Sequence, residues 1–180
     1  MIIHGARGKH VSKKLAGKTL RPHSAIEKPY KIWCSFKHEV NAEFLDPDWA
    51  QEFVLRTPLH IISPKTHNPA TKNQITFIGG FRTAEFIYNR KVTVCRAIDY
   101  KDNPPDDFEL FGWGELFFTL MMFPEKQRNL AEIIDLILTD LPQKVSIAYF
   151  GKKKITRTHI AKKLTVSQDR LRVRNRNSEY

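Results

Sequence analysis

Two adjacent glycines and an arginine stand between two short apolar segments in the stretch ITFIGGFRTAEFI (75–87). Residues 74–80 have the length and composition of a β-strand, and residues 81–89 predict a short helix. Glycine allows close approach to the backbone, a helix start presents free N–H groups, and an arginine fork suits phosphate. We therefore expect Gly79, Gly80 and Arg82 to bind a phosphate; the alternative is a tight turn without a ligand.

A second pattern with chemical meaning is KITRTHIAKKLTVSQDRLRVR (154–174). Thr156 predicts the N-cap of a helix whose apolar positions are Ile160, Ala161 and Leu164. Residues 165–167 then form a turn, and Ser167 predicts the cap of another helix. This spacing resembles the helix-turn-helix family, although Thr165 stands where that family usually has glycine.

The helix-turn-helix resemblance implies that the second helix enters the major groove of DNA. Glutamine and arginine side chains read base edges there, whereas lysines contact phosphates. The expected DNA contacts are Lys153, Lys154, Arg157, Lys162, Lys163, Ser167, Gln168, Arg170, Arg172 and Arg174. The alternative is a helical hairpin with charged solvent faces and no DNA.

The distribution of charge favours a polyanion as partner. The net charge of +11 is concentrated at two ends, because residues 1–40 hold nine Lys/Arg against two acids and residues 143–180 hold eleven against two. The remaining middle is acidic overall, which is typical of a folded body with basic arms. We expect nucleic acid as the partner, with duplex DNA favoured over RNA.

The histidines, cysteines and aspartates of the chain do not form a pattern typical of a catalytic site. We therefore assign no catalytic and no metal-binding residue. The seven histidines lack metal-ligand spacing, and Cys34 and Cys95 are read as reduced thiols. Asp99, Asp102, Asp106 and Asp107 could hold a divalent cation, as in a nuclease. An acidic linker is the favoured interpretation of these four residues.

The elements that position these residues follow an α/β pattern. Strands are predicted over 59–63, 74–80 and 91–98 and around 31–36, helices over 45–55 and 81–89. Residues 108–123 are strongly apolar, and residues 124–142 form an amphipathic helix. We predict a basic irregular arm over 1–29, an α/β domain over 30–105, a helical region with the helix-turn-helix over 106–174 and a basic tail over 175–180.

The stretch ITFIGGFRTAEFIYNRKVTVCRAI (75–98) resembles the core of the ParB/sulfiredoxin-like superfamily, which runs strand, Gly-x-x-Arg turn, helix and strand. The matching positions are Gly79, Gly80 and Arg82, with Ala84 as a small helix residue. The resemblance implies a small ParB/sulfiredoxin-like sheet with helices, a mixed α/β fold, and CTP or ATP with Mg²⁺ at the turn. Sulfiredoxin has a reactive cysteine in this turn, just before a His-Arg pair. Here Phe81 precedes Arg82 and the turn has no cysteine, which argues against sulfiredoxin chemistry.

Together these patterns predict a ParB-like DNA-binding protein with a role in partition, regulation or a mobile element. A ParB-like nuclease or nucleotide hydrolase and an RNA-binding structural protein are the alternatives. No apolar run is long enough for a membrane span and no secretory signal is visible, so we expect a cytoplasmic protein without membrane contact, nucleoid-associated if bacterial. A homodimer is expected, because one helix-turn-helix usually needs a partner half-site, and 108–123 is the candidate contact.

Overall fold

A computed structural model describes residues 8–36, 47–63, 73–89, 92–101, 107–122 and 127–167. The fold-class prediction is confirmed in its mixed α/β character, since the described chain combines one five-stranded mixed sheet with helices between and after the strands. The strands are β1 (Lys9–Lys14), β2 (Thr19–Pro22), β3 (Leu59–Ile62), β4 (Gln74–Gly79) and β5 (Val94–Asp99).

The sheet has the strand order β1-β5-β3-β4-β2. β1 runs antiparallel to β5 and β3 antiparallel to β4, while the β3–β5 and β2–β4 pairs are parallel. This order leaves β1 and β2 at the two edges. β4 lies inside the sheet and contributes the fully buried Phe77 and Ile78, so the glycine turn at its end is anchored by the core.

The helices lie between and after the strands in the chain. They are a 3₁₀ helix (Ser24–Ile26), α1 (Glu27–Phe36), α2 (Pro47–Arg56), α3 (Phe81–Asn89), α4 (Phe108–Met122), α5 (Gln127–Asp140), α6 (Gln143–Phe150) and α7 (Arg157–Leu164). Pro47 opens α2, where a missing N–H costs nothing because the first helical amides have no intrahelical partner. Among the described residues, no helix combines the length and apolar character that crossing a bilayer requires.

Two compact units divide the chain. Within the described ranges, the sheet unit holds residues 8–30 and 47–115, and the helical unit holds residues 31–36 and 116–167. In the helical unit, α5 buries Leu130, Ile133, Ile134 and Ile137, the face predicted from their spacing. The ring of Phe117 packs against those of Tyr149 and Phe150 of α6, with centroids 5.3 and 5.4 Å away.

The amino-terminal region differs from its prediction. Residues 9–14 and 19–22 are not an irregular arm but two strands of the sheet, with Leu15 and Leu20 buried beside them. The prediction failed because the covered face of β1 holds Lys9, Val11 and Lys13, so KHVSKK has one apolar residue and no apolar alternation. The order here comes from pairing with β5, a tertiary interaction.

The strand predicted around 31–36 is also wrong, because these residues belong to α1. His23 precedes the 3₁₀ helix, and its Nδ1 accepts a hydrogen bond from the Ala25 N–H at 3.2 Å. Pro29 then falls in the first turn of α1, where it is tolerated. Ile32, Trp33 and Phe36 are buried at helical spacing, a period that the short β-like segment KIWCSF conceals.

Candidate functional site

The Gly-Gly turn joins β4 to α3 in the sheet unit, as the sequence predicts. Gly79 ends β4, Gly80 has φ +79°, and α3 begins at Phe81. The Ala84 N–H donates to the Gly80 carbonyl at 2.8 Å, which makes Gly80 part of the first helical turn. A positive φ is readily adopted only by glycine, so the turn depends on the residue at position 80.

Side chains of α4 fill the space against the bare backbone of this turn. A Cβ at Gly79 would collide with the Phe111 ring and would lie 2.8 Å from Glu115 Oε2. A Cβ at Gly80 would lie 3.1 Å from both the Leu59 Cα and the Pro58 carbonyl oxygen. The two glycines thus admit close neighbours on both sides, and on the Gly79 side one neighbour is a carboxylate.

The carboxylate of Glu115 occupies the two amides at the start of α3. The Gly80 N–H donates to Oε2 at 2.7 Å and the Phe81 N–H donates to Oε1 at 2.5 Å. Burial of the carboxylate raises the pKa of Glu115 to about 7, although the two N–H donors act in the opposite direction. An acid in this place accepts hydrogen bonds from two amides at the helix start, where N–H groups have no intrahelical acceptor.

This arrangement is an anion site whose anion belongs to the chain itself. Two N–H groups at a helix start can hold a phosphate, but here both donate to Glu115. Arg82, the third expected phosphate ligand, lies half-buried in the first turn of α3. The turn and its glycines were predicted from sequence, whereas Glu115 was missed.

A signal for Glu115 was present in the sequence. It is the only charged residue between Leu110 and Phe123 in the run LFGWGELFFTLMMF. A lone carboxylate in so apolar a run is seldom buried without a partner. The chain could therefore have been searched for hydrogen-bond donors that bind this acid. The N–H groups of Gly80 and Phe81 are such donors.

Substitution of Gly80 tests how strongly the turn depends on this backbone. We expect Gly80→Ala to lower the free energy of unfolding by about 2 kcal/mol, because it combines a positive φ with crowding by Leu59 and Pro58. The matched control is Gly17→Ala, since Gly17 has φ +66° and no neighbour within 4 Å. It should lose only about 1 kcal/mol. Urea denaturation measures both, and equal losses would contradict the crowding.

The predicted second site begins with α7 in the helical unit. Thr156 stands at the N-cap, as predicted, and its N–H donates to His159 Nδ1 at 3.1 Å. Ile160, Ala161 and Leu164, the predicted apolar positions, are buried. Arg157 Nη2 donates to both carboxylate oxygens of Asp135 on α5, each at 2.5 Å, so this expected DNA contact also ties α7 to α5.

The end of α7 makes the turn that the sequence pattern requires. Thr165 has φ 55°, its N–H donates to the Ala161 and Lys162 carbonyls, and the Val166 N–H donates to the Ala161 carbonyl at 3.0 Å. These bonds form a Schellman motif, in which the left-handed position usually holds glycine. Thr165 adopts the conformation nonetheless. Ser167 is exposed, whereas Gln168, Arg170, Arg172 and Arg174 lie outside the described residues.

Five lysines surround α7 on its solvent side. All are exposed, and none forms an ion pair with another residue of the described ranges. They are Lys152, Lys153 and Lys154 before the helix and Lys162 and Lys163 in its last turn. The Lys152 carbonyl accepts a hydrogen bond from the buried Ser146 hydroxyl at 2.7 Å, which fixes the loop that carries the first three. The result is a concentrated positive surface.

The acidic cluster considered for a cation has structural roles where it is described. Partial burial would raise the pKa of Asp99, but hydrogen bonds from the Ser63 hydroxyl and N–H and from Lys13 hold that pKa below its ordinary value. Asp107 Oδ1 accepts from the Leu110 N–H at 2.9 Å at the start of α4. Asp102 and Asp106 lie outside the described residues, and the described part of the chain contains no group of metal-ligating side chains.

Cys95 lies buried in the sheet, and burial raises the pKa of its thiol to about 11, against a smaller opposite effect of Lys13. The thiol is therefore protonated at neutral pH and is a poor nucleophile. This agrees with its interpretation as a reduced thiol, since Cys95 is a free cysteine.

Comparisons with known proteins give a likeness among solved structures but none at the level of sequence. No protein-family model and no curated protein matches the sequence. Among solved structures, the chain is similar to the C-terminally truncated chromosome-partitioning protein ParB from Caulobacter crescentus, complexed with CTP-gamma-S. The sequence identity is 14%, the match covers 91% of this chain and 75% of that chain, and the TM-score is 0.38.

Proposed function

We propose that this chain is a duplex-DNA-binding protein of the ParB-like type, which contacts DNA through α7 and the residues that follow it. The observation that carries the proposal is the exposed lysine surface around a helix that ends in a left-handed turn. Its apolar stripe of Ile160, Ala161 and Leu164 is buried, so the lysines occupy the side that remains for a partner. Partition, regulation and mobile-element biology all use such proteins.

In this proposal α7 is the first helix of a helix-turn-helix and residues 165–167 are its turn. Lys153, Lys154, Lys162 and Lys163 contact phosphates, with Arg157 and Ser167 at the rim of the surface. The helix that reads bases begins after Ser167 and uses Gln168, Arg170, Arg172 and Arg174 in the major groove. Phosphate contacts set position, and these four side chains set sequence preference.

The direct test removes two lysines of α7. Lys162→Ala combined with Lys163→Ala should weaken binding to a duplex and reduce the steepness of log K against log salt by about 2, since each phosphate contact contributes about 0.9. Fluorescence anisotropy at several salt concentrations measures both. The matched control is Lys28→Ala with Lys31→Ala, two exposed lysines of α1. Equal losses in the two variants, or equal binding to matched RNA, would contradict the proposal.

A nucleotide is the second part of the proposal, with Gly79, Gly80 and Arg82 as the phosphate ligands and CTP or ATP with Mg²⁺ as the candidate. The observation that favours it is that the turn already holds a carboxylate in the manner of an anion site. A phosphate would have to displace Glu115 from both amides. Calorimetric titration with Mg-CTP and Mg-ATP tests this, and Arg82→Ala should lose any binding found; no heat with either nucleotide would remove the nucleotide from the proposal.

A homodimer completes the proposal, because two copies present two recognition helices to two half-sites. In the helical unit, α4 exposes Phe118 (58%), Met121 and Met122 (57%), an apolar group unusual on a solvated helix. Sedimentation velocity would give the oligomeric state, and a monomer at micromolar concentration would exclude the dimer.

A further inference from the structure

One face of the β1–β5 pair carries a row of exposed basic and polar side chains. The register places Ser12 opposite Arg96, His10 opposite Ile98 and Lys14 opposite Val94. Residues directly opposite in an antiparallel pair share a face, and alternate residues of one strand do as well. His10, Ser12, Lys14 and Arg96 therefore lie on one face, and all four are exposed. We call these four residues the β1–β5 basic face.

The opposite face of the same two strands is built differently. Cys95 and Ala97 are completely buried there, opposite Lys13 and Val11. Lys13 Nζ donates to Asp99 Oδ2 at 3.3 Å and to Ser63 Oγ at 3.2 Å on that face, so its charge is neutralised within the sheet unit. The acid of β5 is thus used on the covered side, and neither strand contributes an acid to the β1–β5 basic face.

The position of this face in the sheet leaves it accessible. β1 is an edge strand, and within the described residues it pairs with β5 alone. Lys9 is also exposed, but its register partner is Asp99, so it belongs to the other face and is not counted here. Side chains two apart on a strand are about 7 Å apart, so the face presents an extended positive row instead of one focused charge.

We infer that the β1–β5 basic face is a second contact surface for duplex DNA and that it holds the sugar-phosphate backbone without reading sequence. Arg96 offers a fork that suits phosphate oxygens, Lys14 a point charge, and Ser12 a hydroxyl donor. The charge complements a polyanion, and the face lacks the convergent polar groups of a small-molecule pocket. The inference rests on the proposed function, because the β1–β5 basic face and the α7 surface would bind the same duplex DNA.

The test compares two double variants of the full chain that each remove two positive charges from the same sheet. The first is Lys14→Ala with Arg96→Ala. The control is Lys18→Ala with Arg21→Ala: Lys18 directly precedes β2 and Arg21 lies in it, on the opposite edge of the sheet. Anisotropy titrations use a labelled duplex of random sequence at several salt concentrations. We expect the first variant to bind at least about tenfold more weakly at low salt, with a slope reduced by about 2, and the control to match the wild type.

The α7 variant described above separates this inference from the proposed function. If Lys14→Ala with Arg96→Ala weakens binding and the α7 variant does not, the sheet surface stands and the helix-turn-helix proposal falls. If only the α7 variant weakens binding, the inference is overturned. An equal loss in the Lys18 and Arg21 control would also overturn it, because net charge alone would then explain the effect. Charged edge strands also resist aggregation, so a variant that aggregates but keeps its affinity assigns Lys14 and Arg96 to edge protection and overturns the inference.

Discussion

Replacing Glu115 with glutamine is expected to remove a fall of about 3 kcal/mol in the free energy of unfolding between pH 4.5 and pH 7. The carboxyl has a pKa of about 7 in the folded chain, against 4.5 as its ordinary value. Within that interval the folded state holds a proton that the unfolded state has released. The contribution of Glu115 to stability is therefore complete below pH 4.5 and is lost as the pH rises through 7.

The physical cause is the site that holds this carboxylate. Ionisation places a charge in a buried position, and the N–H groups of Gly80 and Phe81 offset only part of that cost. Glutamine keeps the shape and one acceptor oxygen but cannot ionise. It can accept from one of the two amides only, so the variant also loses a hydrogen bond at every pH.

Urea denaturation at a series of pH values measures this effect as the difference between the wild type and Glu115→Gln. Glu109→Gln is the matched control, since Glu109 is an acid in the first turn of the same helix. The Glu115 difference should change by about 3 kcal/mol across the interval, and the Glu109 variant controls for the loss of one acid from α4. A Glu115 difference that does not depend on pH would refute the raised pKa.

The same carboxylate shows how far the sequence could define the site. The strand, the glycine turn and α3 were predicted correctly, because their signals lie within a few adjacent residues. The occupant of the turn was not, because Glu115 is 35 residues from Gly80 along the chain and reaches it only through packing of α4. Local patterns describe which groups a turn offers, and the tertiary fold decides what they bind.

Errors in the fold have a similar origin. α1 was taken for a strand because KIWCSF is short and apolar on both sides, so its period cannot be read without its neighbours. β1 was overlooked because only Val11 of its six residues is apolar, so the strand shows no alternation. By contrast, α5 and α7 have long or well-capped apolar stripes, and Leu130, Ile134 and Ile160 are buried as their spacing predicts.

His60 is expected to change the free energy of unfolding with pH in the opposite direction to Glu115. Burial, with a smaller contribution from the nearby charge of His10, lowers the pKa of His60 to about 4, against 6.5 as its ordinary value. Its Nδ1 lies 2.9 Å from the Tyr100 hydroxyl, and its ring is stacked against Tyr100 and tilted against Phe111. Between pH 4 and 6.5 the imidazole of His60 binds a proton in the unfolded state but not in the folded state. The contribution of His60 to stability is therefore complete above pH 6.5 and is lost as the pH falls through 4.

The expected loss is about 3 kcal/mol, nearly equal to the effect of Glu115 and opposite in sign. The two contributions therefore offset each other in the wild type between about pH 4.5 and 6.5, and single variants should expose them. Glu115→Gln should become more stable as the pH rises through this interval, and His60→Gln should become less stable. His10→Gln is the control for His60, because burial, the larger cause of the low pKa, remains.

A direct measurement is an NMR titration of the imidazole of His60 in the wild-type chain. The ring should remain neutral from pH 7 down to about pH 5, while an exposed histidine titrates near 6.5. A midpoint close to 6.5 for His60 would remove the basis for the offset. If His60 titrates as expected, the free energy of unfolding of the variant that carries both Glu115→Gln and His60→Gln should depend on pH less than that of either single variant, with a remaining slope from His23, whose pKa burial also lowers. Opposite slopes in the two single variants, together with this weaker slope in the double variant, would show that Glu115 and His60 offset each other in the wild type.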